Sequence, residues 1–288
     1  MTSKSIFDGK KRRIDTITFG LIQGSSLLAV GILALILGYI VYQGVPVFDW
    51  KYLIQVPSTL YKIDGLLPSI INTLYIIFVT LVIACPIGIA SAIYLQEYAQ
   101  NKKFVEVVSF TTEILSGIPS IIFGLFGMLF FGNVFGLNYS VLTGSFTLAI
   151  MILPTIIRST QVALTYVPKS YREAALGIGA TKWYMIRTVL LPSAMPGILT
   201  GLILAMGRIV AESAALIYTA GSGKVLPTGI FSHLFSSAAT LTVDLYLQLE
   251  KANFDLCNVI ALVLIVIVLC LNLLAKWITK KFDVNRID

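Results

Sequence analysis

The 288-residue sequence predicts an all-α integral membrane protein of six transmembrane helices with both termini in the cytoplasm. Three observations carry that prediction. Hydrophobic residues make up 57% of the chain and charged residues only 12%, where a soluble domain has about 25% charge. Six apolar stretches each reach the roughly 20 residues that a bilayer crossing needs. Lysine and arginine also segregate to alternate connecting segments, as they do in polytopic proteins.

The segregation sets the orientation. Of 21 basic residues, Lys51, Lys62, Lys224 and Lys251 fall on one side, and Arg158 and Arg208 fall within spans. The other 15 fall on the opposite side, which the positive-inside rule assigns to the cytoplasm. The net charge of +7 is therefore a topology signal, and no nucleic-acid partner is expected. Cys85, Cys257 and Cys270 have no metal-ligand spacing and read as small buried hydrophobes.

In chain order, residues 1–15 form a polar cytoplasmic tail ending in Lys10, Lys11, Arg12 and Arg13. Residues 16–279 form one integral domain, and 280–288 a second cytoplasmic tail. The first span, 16–42, is too long for a secretory signal and lacks a small-residue cleavage site, so it is retained. Residues 44–64 form a loop whose Trp50, Tyr52 and Tyr61 suit the membrane interface. The second span, 66–94, contains Pro86, which removes a backbone donor. A polar loop over 96–112 leads to the third span, 113–135, where Gly124 and Gly127 permit close helix approach. An uncharged turn over 132–140 precedes the fourth span, 141–165, with Pro154 and Arg158 inside it. The fifth span is 194–220 and the sixth 256–278. Between them, the mixed loop 221–255 partly suits a membrane surface. Its His233 has no His, Cys or acidic cluster nearby in sequence, and no metal or catalytic role is expected of it.

Residues 166–193 are too polar for hydrocarbon, carrying Arg172, Glu173, Lys182 and Arg187. Glu173-Ala174-Ala175 opens a run of good helix formers, Gly177 and Gly179 interrupt it, and an amphipathic run then ends at Pro192. The pattern predicts a short helix-turn-helix at the membrane surface.

Arg208 and Glu212 lie near the middle of the fifth span, where each charge costs about 3 kcal/mol. On an unbroken helix Gly197, Gly201, Ala205, Arg208 and Glu212 fall within about 80° of arc. That stripe is a packing face or a pathway face. The residues four apart can form an internal bridge, or Arg208 can offer its planar donor fork to a tetrahedral oxyanion with Glu212 setting its rotamer. Arg158 lies near the cytoplasmic end of the fourth span, where it either snorkels to the surface or faces a path.

The spacing Glu173-Ala174-Ala175, three residues, Gly179, nine residues, Val189, one residue, Leu191-Pro192 resembles the EAA loop of ABC importer permeases, with Val189 where isoleucine is usual. Further stretches, SGIPSIIFGLFG from Ser116, LAIMILPTIIR from Leu148 and LPSAMPGILTGLILAMGRIVAESAAL from Leu191, resemble the phosphate importer permeases of that class. Gln161 stands where an acidic residue is common, and Val210-Ala211 precede Glu212 where a glycine is usual.

The resemblance implies a type I ABC importer permease fold and alternating access. It implies four partner classes: a homologous second permease, a cytoplasmic ATPase dimer docked on the EAA loop, an extracytoplasmic phosphate-binding protein and the lipid bilayer. It implies a substrate path through Arg208, Glu212 and Arg158. This chain is expected to hold no cofactor and to catalyse nothing, with ATP and magnesium on the partner ATPase. Gly221-Ser222-Gly223-Lys224 looks like a phosphate-binding loop, but Val225 replaces the magnesium-holding Ser/Thr and the first glycine is missing. The alternatives are a permease for sulfate or molybdate, an ATP-independent channel or ion-coupled transporter, and an intramembrane enzyme, for which no nucleophile–base pair or paired carboxylate is present.

Overall fold

The computed structural model describes residues 13–58, 63–227 and 229–281. Most of the first tail, Tyr61 and the end of the second tail lie outside them. Among the described residues there is no strand, and five helices are long and apolar enough to cross a membrane. A bent helix pair, Lys102–Gly117 with Ser120–Val134, meets the same criterion taken together, and the count is six where that pair makes one crossing.

Helix α1 (Arg13–Val47) is exposed and largely apolar over residues 17–39. It is followed by α2 (Lys51–Ile54), and by a single bridge between Ser58 and Ile63. Helix α3 (Leu67–Ile93) accommodates Pro86 and ends in a wide π turn, Tyr94–Tyr98. The predicted polar loop over 96–112 is instead largely helical. The Asn101 side chain accepts from Lys103 N and Phe104 N, which starts α4 (Lys102–Gly117).

The predicted third span is not one helix. Helix α4 stops at Gly117, and α5 (Ser120–Gly127) with its π extension Met128–Val134 leaves at 101°. The cause is local. Ile118 precedes a proline and is driven to extended backbone, φ −72° and ψ 132°, and Pro119 has no N–H to continue the ladder.

Helix α6 (Val141–Tyr166) is the axis of the bundle and the most buried span. After it come α7 (Lys169–Gly177) and α8 (Lys182–Met185). A π turn, Ile186–Leu190, joins α8 to α9 (Leu191–Ala211) as one rod of 30 residues. Pro192 therefore does not end the second half of the polar segment. It falls in the first turn of α9, where a missing N–H is tolerated, just after the widened π turn.

The fifth span ends at Ala211, nine residues earlier than its sequence suggests. Glu212 is extended, φ −82° and ψ 123°, and a separate short helix α10 (Ala214–Thr219) follows. Two contacts hold the break. Glu212 Oε1 accepts from Ala215 N at 3.0 Å, and the freed Glu212 carbonyl accepts from Thr242 Oγ1 at 2.8 Å.

Small residues let the spans approach. A Cβ on Gly201 would sit 2.0 Å from Ser159 Oγ, and one on Gly127 would sit 1.9 Å from Thr147 Oγ1. Gly124 packs directly on the backbone of Ala215 in the same way. The glycine stripe of α9 is thus a packing face against α6. Ile76, Leu148, Ile152, Ile156, Ala205 and Ile209 form the main core between α3, α6 and α9.

The segment 221–255 folds into the end of the bundle opposite α7, with Ile230, Phe231 and Phe235 left exposed. It carries α11 (Ile230–His233) and α12 (Leu241–Glu250) before the last span, α13 (Phe254–Lys281), against which α1 packs. Asp244 is fully buried and accepts from Lys224 Nζ at 2.5 Å, Ser69 Oγ at 2.9 Å and Gln248 Nε2 at 3.3 Å. The lysine of the GSGK stretch is therefore half of a structural ion pair.

His233 is buried as well. Asn72 Nδ2 donates to the Ala239 carbonyl, so Asn72 Oδ1 is the acceptor for His233 Nε2–H at 2.8 Å. Nδ1 lies 2.9 Å from Ser236 Oγ. Burial lowers the His233 pKa below its ordinary 6.5. The unfolded chain then takes up the proton more readily than the folded one. The histidine's contribution to stability is complete above the ordinary value and is lost as pH falls through the lowered one. Acidification from about pH 7.5 to about pH 5 is expected to lower the unfolding temperature of the wild type more than that of His233→Gln, compared by thermal unfolding in detergent. Equal pH slopes would show that the histidine proton is not linked to folding.

Candidate functional site

The polar segment between α6 and α9 forms a compact helix-turn-helix. Gly179 provides its turn. With φ at +83° it occupies the left-handed region, and Ala180 N reaches back to the Ala175 carbonyl at 3.1 Å, closing the end of α7. Thr181 then caps α8, accepting from Tyr184 N at 3.3 Å. Ala175 is buried against Leu164, Val167, Met185, Ile186 and Leu190, with Val189 and Leu191 packed on the edge of that cluster. Glu173 and Ala174 point away from it and are exposed. The motif therefore divides its residues: Ala175, Val189 and Leu191 seat the unit, Gly179 and Pro192 shape its backbone, and Glu173 and Ala174 face outward.

The outward surface is apolar around that acid. Ile178 is 85% exposed, and Leu176, Trp183 and Tyr184 are all more than half exposed. An apolar patch with an acid beside it, at the polar end of a membrane bundle, has the chemistry of a protein docking surface.

Arg172 ties this unit to the spans. Its Nε and NH2 donate to Glu97 Oε1 at 3.3 and 3.1 Å. NH1 donates to the Val167 carbonyl at 2.9 Å and NH2 to the Leu164 carbonyl at 2.8 Å. One guanidinium thus joins α7, the π turn that ends α3, and the carbonyls left open at the C-terminus of α6. A second tie runs from α8, where Lys182 Nζ lies 4.9 Å from the ring centre of Tyr98. Sequence reasoning treated Arg172 only as one of the inside charges. Its neighbours Glu173 to Ala175 carry the recognisable motif, and its partner Glu97 is 75 residues away.

The charges expected along a path are arranged differently from the sequence reading. Among the described residues the ion pairs are Lys51–Asp49, Arg172–Glu97 and Lys224–Asp244, so Arg208 and Glu212 do not pair. The helix ends between them, and the Glu212 carboxylate is occupied in capping α10. Arg208 is half-buried on the last turn of α9.

Arg158 faces a cavity of about 460 Å³ between α4, α6 and α9. Ser159, Gln161, Thr112, Glu113 and Ser116 line it too, while Arg208 does not. Arg158 stands eight residues before the end of α6, roughly 12 Å along the axis. The structure therefore puts Arg158, and not Arg208, on the cleft between α4, α6 and α9.

The description "binding-protein-dependent transport system inner membrane component" belongs to a family model that matches residues 84–285. A probable ABC transporter permease protein of Bacillus subtilis (strain 168), YqgI, is 33% identical over 94% of this chain and 98% of its own length. The phosphate transport system permease protein PstA 2 of Mycobacterium tuberculosis (strain CDC 1551 / Oshkosh) is 34% identical over 84% of this chain and 81% of its own. PstA of Haemophilus influenzae (strain ATCC 51907 / DSM 11121 / KW20 / Rd) is 31% identical over 89% and 90%. In fold, the chain is similar to one from a bacterial alginate ABC transporter in complex with an alginate pentasaccharide-bound periplasmic protein. The TM-score is 0.68 at 18% identity, covering 96% of this chain and all of that one. A chain of the inward-facing MetNI methionine ABC transporter has a TM-score of 0.57 at 23% identity, covering 76% and 94%. These two likenesses show the fold of type I ABC importer permeases. The chain belongs to the family of binding-protein-dependent transport system inner membrane components, and it is a multi-pass inner-membrane permease of an ABC importer.

Proposed function

We propose that this permease moves inorganic phosphate into the cell. In this reading it forms the path with a homologous second permease and takes its drive from a cytoplasmic ATPase dimer seated on α7 and the turn at Gly179. An extracytoplasmic phosphate-binding protein delivers the anion at the opposite end, near α11 and α12. The observation that carries the substrate is the match to two PstA phosphate permeases at 31% and 34% identity over more than four-fifths of the chain. The Arg158 cleft supports it, because a guanidinium presents a donor fork suited to a tetrahedral oxyanion. The exposed Glu173 surface supports the coupling.

Motion of the ATPase pair displaces α7. Through Arg172 the displacement reaches the ends of α3 and α6 together, and α6 carries Arg158. Alternating access then means that the cleft walls, α4, α6 and α9, open to one side at a time. ATP and magnesium act on the ATPase, and this chain supplies the docking surface and the path.

The test is radiolabelled phosphate uptake into proteoliposomes holding the four-component complex, with ATP at the ATPase and sulfate as competitor. Uptake is expected to need ATP, to ignore sulfate, and to fall at least about tenfold in Arg158→Gln and Glu173→Arg. Glu173→Arg is expected also to lose the ATPase on purification. Arg208→Gln, run in parallel, reports whether the half-buried arginine belongs to the path. Flux without ATP would overturn the importer mechanism, and sulfate-sensitive uptake would overturn the substrate.

A further inference from the structure

The wall facing Arg158 is built from one side of α4. Ser109, Thr112, Glu113 and Ser116 follow each other at intervals of three, one and three residues, which puts them on one helical face. Phe104, Val107, Phe110 and Ile114 lie elsewhere on the helix and are exposed. The polar face of this amphipathic helix is therefore turned onto the cleft, opposite α6.

Glu113 and Arg158 line the same cleft from two helices, yet they form no ion pair. A guanidinium can only donate hydrogen bonds, and a carboxylate can only accept them. A ligand lying between them must offer acceptor oxygens to one side and a donor to the other. Inorganic phosphate does both, because near neutral pH it keeps at least one P–OH proton. Sulfate keeps none. Placed in the same cleft, it sets an oxygen lone pair against the Glu113 carboxylate, charge against charge.

We propose that Glu113 is a specificity-determining residue of this permease, accepting a hydrogen bond from the hydroxyl of phosphate and repelling fully deprotonated oxyanions. The proposal rests on the phosphate reading above and adds the group that enforces it. Arg158 attracts both anions, so discrimination needs a group that disfavours the wrong one. A site that hydrogen-bonds a substrate hydroxyl discriminates against an analogue lacking it better than an apolar pocket discriminates one methylene, and here Glu113 and Arg158 are both exposed on the open cleft.

The test uses the assembled importer in lipid nanodiscs with Ser116→Cys as reporter. Its rate of modification by a charged methanethiosulfonate reagent is followed against inorganic phosphate or sulfate. The parent with only Cys85, Cys257 and Cys270 supplies the background. Phosphate is expected to protect at concentrations at least about tenfold below those of sulfate, the worth of one charge-assisted hydrogen bond. Glu113→Gln is expected to lower sulfate's half-protecting concentration about tenfold and to erase the preference, while Glu113→Asp retains it. If Arg158→Gln abolishes protection but Glu113→Gln leaves the phosphate-to-sulfate ratio unchanged, the specificity role falls and the phosphate reading stands. If phosphate protects neither wild type nor variants, or protects Arg158→Gln fully, the cleft does not hold the anion and the inference falls. The uptake experiment then decides the substrate separately.

Discussion

Arg172→Met is expected to reduce ATP-driven uptake at least about tenfold while the ATPase subunits stay attached and continue to hydrolyse ATP. Arg172 makes four hydrogen bonds, two to a carboxylate and two to carbonyls at the end of α6. Hydrogen bonds to charged groups contribute about 1.5–3 kcal/mol each, and those sharing one side chain are not additive. A loss of about 3 kcal/mol at this junction is a reasonable scale. It acts where α7 meets α3 and α6, so docking survives and transmission fails. The side chain points away from the exposed surface around Glu173, and only 20% of it is accessible. Hydrolysis and uptake are measured on the same proteoliposomes, and their ratio is the readout. Arg172→Lys keeps the charge without the fork, so it should recover only part of the coupling. In a double-mutant cycle with Glu97→Gln, an interaction energy of about 1–3 kcal/mol is expected in the coupling ratio. Normal uptake in Arg172→Met would mean that the packing of Ala175 alone carries the motion.

Lys224→Met is expected to cost about 3–5 kcal/mol of stability, because it leaves the Asp244 carboxylate fully buried without a counter-charge. Ser69 and Gln248 still donate to it, but neither neutralises it. The damage should concentrate at the end of the bundle opposite α7, where Lys224 holds the start of the 221–255 segment against α12 and α3. Thermal unfolding in detergent gives the size of the effect, and limited proteolysis gives its location. Replacing both partners, Lys224→Met with Asp244→Leu, should recover most of the loss, since an apolar pair carries no desolvation cost. If the single variant unfolds at the wild-type temperature, water reaches Asp244 and the pair is not buried in solution.

Elements governed by local chemistry were legible in the sequence. The apolar runs of α1, α3, α6 and α13 follow from composition and length, with ends displaced by a few residues. The turn at Gly179 was legible because a left-handed residue between helical runs favours glycine. Ser116-Gly117-Ile118-Pro119 held the information for the break between α4 and α5, yet the apolar run around it masked the proline rule. Elements governed by distant contacts were not legible. Glu212 leaves the helix because Ala215 N and Thr242 Oγ1 satisfy the ends that the break exposes, and Thr242 lies 30 residues away. An unbroken helical projection therefore put Arg208 and Glu212 on one face, whereas the helix ends between them.

The sequence by itself determined that this chain is polytopic and helical, with a polar segment between its fourth and fifth spans that resembles the EAA loop of ABC importer permeases. Hydropathy, charge placement and one spaced motif suffice for that, because each reports on residues close together in the chain. Only the tertiary structure decided which charges meet. It put Arg172 on Glu97, Lys224 on Asp244 and Arg158 across a cleft from Glu113, and it left Arg208 apart from Glu212. Buried and membrane-embedded charges take the partners that packing brings within reach. In this bundle the close approach of helices at Gly124, Gly127 and Gly201 sets that packing.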